Sequence, residues 1–464
     1  MSAFARRAAA AAVALTLGAC ATLEPQLPQA QPGVPAQFPA TAATPAGADA
    51  GATAWRDFLA DPRLVQVVAR ALEGNRDLRV TVLNVERARA LHRIQRADRF
   101  PSVGAAGSLT RSGGGDRESK SEYAVNLGVT AFEIDLFGRV RNLSEAALQS
   151  YFAQAENRRS AELALVAEVA NAWLALAADR ELLKIARATL ANREEALKLA
   201  LKRHELGAVS ALDLAQARTA VEGARADAAR YEGLTAADVN ALALLAGSPV
   251  EEALLPKGWE GAVSRGNAVP ANLASEALLS RPDIRAAEHG LRAANANIGA
   301  ARAAFFPSIT LTGAAGTAAG ELSGLFKDGS FAWSVMPQVT IPIFQAGRLS
   351  ANLDVAQADR DIALARYEQA IQAGFREVAD ALAISGTSLA QRKAQEALVD
   401  AAIDAERLSR ARYDAGRDGY LGLLDAQRTL YGAQQGLVAA RLAEQANRVA
   451  LYKALGGGWK EAAK

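Results

Sequence analysis

Apolar residues recur three and four positions apart along two very long stretches of this chain. In the first, from Gly138 to Gly207, Leu163, Val166, Ala170, Trp173 and Ala177 fall on one helical face. The residues around them are mostly Ala, Leu, Glu, Arg and Gln, which favour helix, and no proline interrupts them. At about 1.5 Å per residue, a helix of ~65 residues is roughly 100 Å long, against an average of about three turns. Propensity alone does not hold such a helix. It must pack along its length, and its many alanines allow close approach. A second helical stretch runs on to Gly247, so the pattern predicts an antiparallel hairpin with its tip at Leu206-Gly207-Ala208.

The hairpin occurs twice. Gly138, Gly207 and Gly247 have counterparts at Gly347, Gly416 and Gly456 at a constant offset, and the second tip reads Ala415-Gly416-Arg417. Gly207 and Gly416 are expected to end their helices in the left-handed conformation, with Ser210 and Asp418 capping the returning helices.

Ahead of each hairpin the period shifts from 3.6 to 2. A helix from Ala71 to Arg99 is stopped by Phe100-Pro101-Ser102, and its counterpart from Ala277 by Phe306-Pro307-Ser308. Tyr123, Val125, Leu127, Val129 and Ala131 then alternate with Ala124, Asn126, Gly128 and Thr130. Phe331, Trp333, Val335, Pro337, Val339 and Ile341 form one face of another strand, opposite Ser334, Gln338 and Thr340. Val103 to Arg111 and the run from Ser308 complete two β-hairpins, with turns expected at Ser112–Ser121 and Thr317–Ser330. Strands of roughly ten residues cross an outer membrane when tilted. Four strands do not close a barrel, and lipid does not tolerate an open edge. Membrane barrels begin at about eight strands, so several chains must share one; three chains would supply about twelve strands. The alternative is a small soluble sheet with one face buried against the helices.

Composition adds limits. Of 464 residues, half are apolar, enough for a core; 52 basic and 50 acidic residues leave a net charge of +2, which gives no reason to expect a nucleic-acid partner. At the N-terminus, Arg6 and Arg7 precede an apolar run from Ala8 to Leu17, the pattern of a signal peptide. The run ends Leu17-Gly18-Ala19-Cys20, which resembles a bacterial lipobox, in which the cysteine is lipidated, and Cys20 is the only cysteine. Six of the fifteen prolines lie between Pro25 and Pro45, the mark of an extended tether. The predicted organisation is a signal peptide (1–19), a lipidated tether (20–54), repeat 1 (55–247), a connector (248–272), repeat 2 (273–456) and a short tail (457–464). Each repeat holds a helix, a β-hairpin and a long helical hairpin. The fold class is mainly α with a membrane β-barrel portion.

Together these features resemble the TolC-like outer-membrane factor family, in its efflux lipoprotein (OprM/NodT-like) branch. The resemblance rests on the lipobox ending at Cys20 and the paired Phe-Pro-Ser breaks. It also rests on Ile134-Asp135-Leu136-Phe137-Gly138-Arg139 with its repeat partner Ile341-Pro342-Ile343-Phe344-Gln345-Ala346-Gly347-Arg348. Tyr420-Leu421-Gly422-Leu423-Leu424-Asp425-Ala426-Gln427-Arg428 and the closing Leu451 to Trp459 complete it. It implies a homotrimer with a shared 12-stranded β-barrel and a trimeric α-barrel. Such a trimer is an exit duct for small molecules, docked to a periplasmic adaptor and an inner-membrane efflux pump of the RND type. Cys20 would carry a covalent lipid in the outer membrane. The adaptor would dock on Leu206, Gly207, Ala208, Ala415, Gly416 and Arg417. The aspartate matching Asp425 faces the lumen near the closed periplasmic end in the family, so threefold symmetry would make a ring of carboxylates. A tyrosine–aspartate–arginine link that holds the helices shut maps to Tyr413 and Asp213, with Asp418 at the arginine position and Arg417 beside it.

No GxxxxGK[ST], HExxH or GxSxG motif occurs, and His92, His204 and His289 lie far apart in sequence. The expectation is a passive duct with no cofactor beyond the lipid, and not an enzyme. A type I protein-secretion duct is the nearest rival, disfavoured by the lipobox and the Gly-Gly-Gly-Trp ending. A structural periplasmic coiled-coil lipoprotein is disfavoured by the two apolar β-hairpins.

Overall fold

The computed structural model of the chain describes residues 23–38, 53–115, 117–265 and 274–457. The signal peptide, Cys20, much of the tether and Trp459 lie outside the described residues. In chain order the elements are α1 (Trp55–Phe58), α2 (Pro62–Gly74), α3 (Arg76–Ala97), β1 (Val103–Gly114) and β2 (Arg117–Ile134). The first long hairpin is α4 (Arg139–Glu205) and α5 (Ala211–Ala246). Then follow α6 (Pro282–Ala303), β3 (Ser308–Ala319), β4 (Phe331–Thr340) and the second hairpin, α7 (Arg348–Asp414) and α8 (Tyr420–Ala454). The six glycines that frame the hairpins all have positive φ, between +69° at Gly416 and +82° at Gly347.

Two compact units divide the chain. The first takes the described part of Met1–Pro32 together with Leu83–Glu156 and Arg285–Ala370. Its centre is an antiparallel sheet in the order β1-β2-β3-β4. The strands outrun their expected bounds. The first pair continues through Arg111↔Ser121 and Ser112↔Lys120, so most of the expected Ser112–Ser121 turn is ladder. This run is polar or glycine on both faces, which suits a solvated hairpin end that apolar alternation alone does not reveal. β3 likewise extends to Ala319, and the loop after it contains a short 3₁₀ turn at Leu322–Gly324. Between β2 and β3 two glycines admit close strand contact: a Cβ on Gly316 would lie 2.1 Å from the Val125 carbonyl oxygen, and one on Gly128 would lie 2.5 Å from that of Gly313. A bulge separates Val129 from Phe132, with Ala131 at φ +50° and its N–H donating to Thr312 Oγ1 at 3.1 Å.

The sheet does not bury one face as the soluble alternative requires. Every residue of β1 and β4 is exposed, with Phe331 and Trp333 each at 70%. At the passage from β2 to α4, Glu133 pairs with Arg139, and Asp135 accepts the backbone N–H of Arg141 at 2.7 Å, which satisfies a free donor of the first helical turn. Residues 23–32 form neither helix nor strand, and they are fastened to the unit. Asn295 Nδ2 donates to Glu24 Oε1 (2.9 Å) and to the Pro25 carbonyl (2.8 Å), and Arg302 donates to the Leu23 carbonyl.

The second unit takes Gly33–Val82, Asn157–Ile284 and Ile371–Lys464. Its main core joins Leu64, Val67, Val68 and Ala71 of α2 to Leu165–Ala177 of α4, Leu242 of α5 and Tyr452 of α8. The helix expected from Ala71 to Arg99 is two helices, α2 starting at Pro62 and α3 starting at Arg76. Asp61 accepts the Arg63 N–H at 2.8 Å, and proline sits at the first helical position. Asn75 then ends α2 and begins α3: its side chain accepts from the Leu78 N–H and donates to the Leu245 carbonyl. The connector also joins this core through Leu254, Leu255 and Val263. α4 contains a window apolar enough to cross a membrane, but 56% of that window is buried inside the chain, which accounts for its apolarity as core packing. Tyr452 stacks on Phe58 at 4.1 Å and donates to the Thr53 carbonyl. Arg281 donates to the Ala454 carbonyl and pairs with Asp283 and Glu377; burial alone would lower its pKa, and the two carboxylates outweigh that and raise it.

Candidate functional site

Both hairpin tips are built the same way on one side. Gly207 donates to the His204 carbonyl (2.9 Å) and Ala208 to that of Arg203 (2.7 Å). Gly416 donates to Tyr413 (3.0 Å) and Arg417 to Arg412 (3.0 Å). This pair of bonds is the Schellman ending, and it needs the left-handed φ of +72° and +69° found at the two glycines. The returning helices differ. Ser210 and Asp213 form a reciprocal capping box on α5. On α8 the cap position is Gly419, without a side-chain bond, and Asp418 instead forms an ion pair with Arg412 (2.5 and 2.8 Å). The expected cap at Asp418 is thus corrected: the carboxylate sits one residue too early in the sequence and bridges back to the outgoing helix. Leu206, Gly207, Ala208, Ala415, Gly416 and Arg417 are all exposed.

Behind the tips the two hairpins pack on one another through small residues. Ala196, Ala200, Leu214, Ala217 and Ala220 of α4 and α5 meet Tyr413, Tyr420, Leu423 and Leu424. Tyr413 is only 4% exposed; its ring lies edge-on to Tyr420 at 5.7 Å, with the Arg203 guanidinium 4.7 Å from the ring centre. Among the described residues its hydroxyl meets no hydrogen-bond partner, while Asp213 is held by Ser210. No hydrogen bond joins Tyr413 to Asp213 here. Asp425 lies on the exposed side of α8, next to the buried Leu424, and its carbonyl accepts the Thr429 hydroxyl.

Two further features are not singled out as sites by the sequence. A cavity of about 350 Å³ between α4, α7 and α8 is lined by Arg193, Gln427, Tyr431 and Arg410, among others. Arg193 and Gln427 are each 7% exposed; among the described residues, Arg193 Nε and both polar atoms of the Gln427 amide meet no hydrogen-bond partner. Burial lowers the Arg193 pKa, and no carboxylate pairs with it directly; it donates to the Ala220 carbonyl. Farther along the first hairpin, Asp179 and Asp238 face each other. Burial, then its neighbour's charge, pushes the Asp238 carboxyl up to about 6, and Asp179 is raised as well. Asp238 Oδ2 is buried with no donor reaching it, which a proton shared between the two carboxyls would supply. Such pairs come from distant positions on opposite helices, so no local pattern announces them. Among the described residues, no group of three or more His, Cys, Asp or Glu side chains is placed to hold a metal ion.

Residues 67–248 and 273–457 match the outer membrane efflux protein family. The chain belongs to that family. Similar members of known role include the toluene efflux pump outer membrane protein TtgC of Pseudomonas putida, 47% identical over 464 residues, covering 97% of this chain and 95% of that protein. The outer membrane protein OprJ of Pseudomonas aeruginosa is 43% identical over 456 residues, covering 97% and 95%. Among solved structures, the open state of the Neisseria gonorrhoeae MtrE outer membrane channel superposes with a TM-score of 0.87 at 40% identity, over 95% of this chain and 99% of that one. This outer membrane efflux protein therefore shares the mostly helical, four-stranded fold of those channels and serves as the outer-membrane component of an efflux system.

Proposed function

We propose that three copies of this protein form the passive exit duct of a tripartite pump. Their sheets close one β-barrel in the outer membrane, and their hairpins form one helical barrel in the periplasm. A periplasmic adaptor docks on Leu206–Ala208 and Ala415–Arg417, and an inner-membrane pump of the RND type supplies the energy. Cys20 carries the covalent lipid. Asp425 forms the selective constriction, with Tyr413 and Asp213 in the contacts that close it. The substrates are small organic molecules, in line with the solvent named for TtgC.

One observation carries this reading: the four-stranded sheet has two open edges and an exposed row of Phe331, Trp333, Val335 and Val339. In water such a sheet invites aggregation, and in lipid its edges are forbidden, so only closure with further copies satisfies it. Full exposure of both tips supports docking there. The test is transport. A strain stripped of its own efflux ducts, given this chain with its adaptor and pump, should accumulate less of a fluorescent dye than the same strain without the chain. Equal accumulation, with the protein present in the outer membrane, refutes the reading.

A further inference from the structure

The β2–β3 junction inside one chain supplies a template for the junction between chains. Where β2 leaves the sheet, Phe137 stacks on Phe306 of the Phe-Pro-Ser break that precedes β3, with ring centres 4.7 Å apart and planes 19° apart. The last paired residues beside this stack are Ile134 and Ile309. The repeat contains a second copy of each half. Ile341-Pro342-Ile343-Phe344 after β4 corresponds to Ile134-Asp135-Leu136-Phe137, and Phe100-Pro101-Ser102-Val103 before β1 corresponds to Phe306-Pro307-Ser308-Ile309. Within the chain these second halves sit at opposite edges of the sheet. They are bare: Phe344 is 85% exposed, Phe100 63%, Val103 72% and Ile341 56%.

We infer that Phe344 of one copy stacks on Phe100 of the next, and that Ile341 of the first pairs with Val103 of the second, the register of the Ile134–Ile309 pair. This inference rests on the shared-barrel reading above and adds its residues and register. The chemistry fits a second copy: each half is apolar, and the edge strands offer unpaired backbone groups in the antiparallel sense that β2 and β3 already use. An aromatic stack at the strand ends would fix the register where β1, rich in small residues, specifies it weakly.

The test is cross-linking in the intact outer membrane. Directly opposed strand residues lie about 4.5–5.5 Å apart, within disulfide range. Ile341→Cys with Val103→Cys should give covalent dimers and trimers on oxidation; Ile341→Cys with Ala105→Cys, two positions out of register, should not. Each single variant controls for Cys20. Phe344→Ala and Phe100→Ala should each weaken the heat resistance of the oligomer, and the double variant should weaken it no more than either single, since one contact is lost in all three. Native mass measurement of the wild type separates the two failures. A trimer that cross-links only in the shifted register, or additive losses from the two alanine variants, overturns the inference while the shared barrel stands. A wild-type monomer overturns both.

Discussion

Substituting the tip glycines and the hairpin-base glycine should give different outcomes. Gly207, Gly416 and Gly247 have nearly equal φ, +72°, +69° and +73°, so alanine pays the same left-handed penalty at each, roughly 1–2 kcal/mol. Their surroundings differ. Nothing lies within 4 Å of a Cβ added at Gly207 or Gly416. At Gly247 the new Cβ would meet the Gly74 carbonyl oxygen at 2.2 Å and its carbon at 2.5 Å, both backbone atoms that cannot rotate away. That collision adds ~1–3 kcal/mol of overpacking and forces α2 from α5 in the main core. Gly247→Ala should therefore cost about 2–5 kcal/mol, while the strain in a tip variant stays local to an exposed turn. Thermal unfolding in detergent, followed by gel mobility of the oligomer, reads the difference. The tip pair Gly207→Leu with Gly416→Leu should keep a near-wild-type midpoint yet lose efflux, because only docking is touched. A tip pair as unstable as Gly247→Ala would refute the open-turn argument, and a stable tip pair with full efflux would move docking elsewhere.

Asp238→Asn should flatten the pH dependence of stability. A carboxyl whose folded pKa is raised to about 6 contributes stability that is present below its unfolded value near 4 and is lost as pH rises through 6. Wild-type midpoints should thus rise as pH falls from 7 towards 4 by more than those of Asp238→Asn, and equal slopes would count against the shared proton. Gln427→Met should raise the melting midpoint at neutral pH, since it removes an unsatisfied buried amide that costs about 1–3 kcal/mol; a lower midpoint would mean the amide finds a partner in the assembled duct. Asp425→Asn should lower cation selectivity and divalent-cation block in single-channel recordings while assembly persists, and unchanged recordings would remove Asp425 from the constriction.

The helical hairpins were legible because two independent signals coincide in them: heptad-like apolar spacing and glycine at fixed intervals. The strands were legible where apolar residues alternate, and their far ends were not, because Ser112–Ser121 is polar on both faces and pairs through its backbone. The start of α2 was hidden by the short distance between Asp61 and the Asn75 break, which splits what reads as one periodic run. The tips could be placed from Gly207 and Gly416, but the cap at Asp418 could not be distinguished from an ion pair without knowing that Arg412 reaches it. Arg193 with Gln427, and Asp179 with Asp238, come together from residues far apart in sequence on different helices, and local spacing holds no record of such contacts.

The shared barrel is tested most directly by native mass measurement of the full-length protein extracted from the outer membrane in mild detergent. The account predicts a single species of three chains, each beginning at Cys20 and carrying the added mass of its lipid. A stable single chain whose four strands are all protected from hydrogen exchange would contradict it, because the open edges of β1 and β4 would then be satisfied without a second copy.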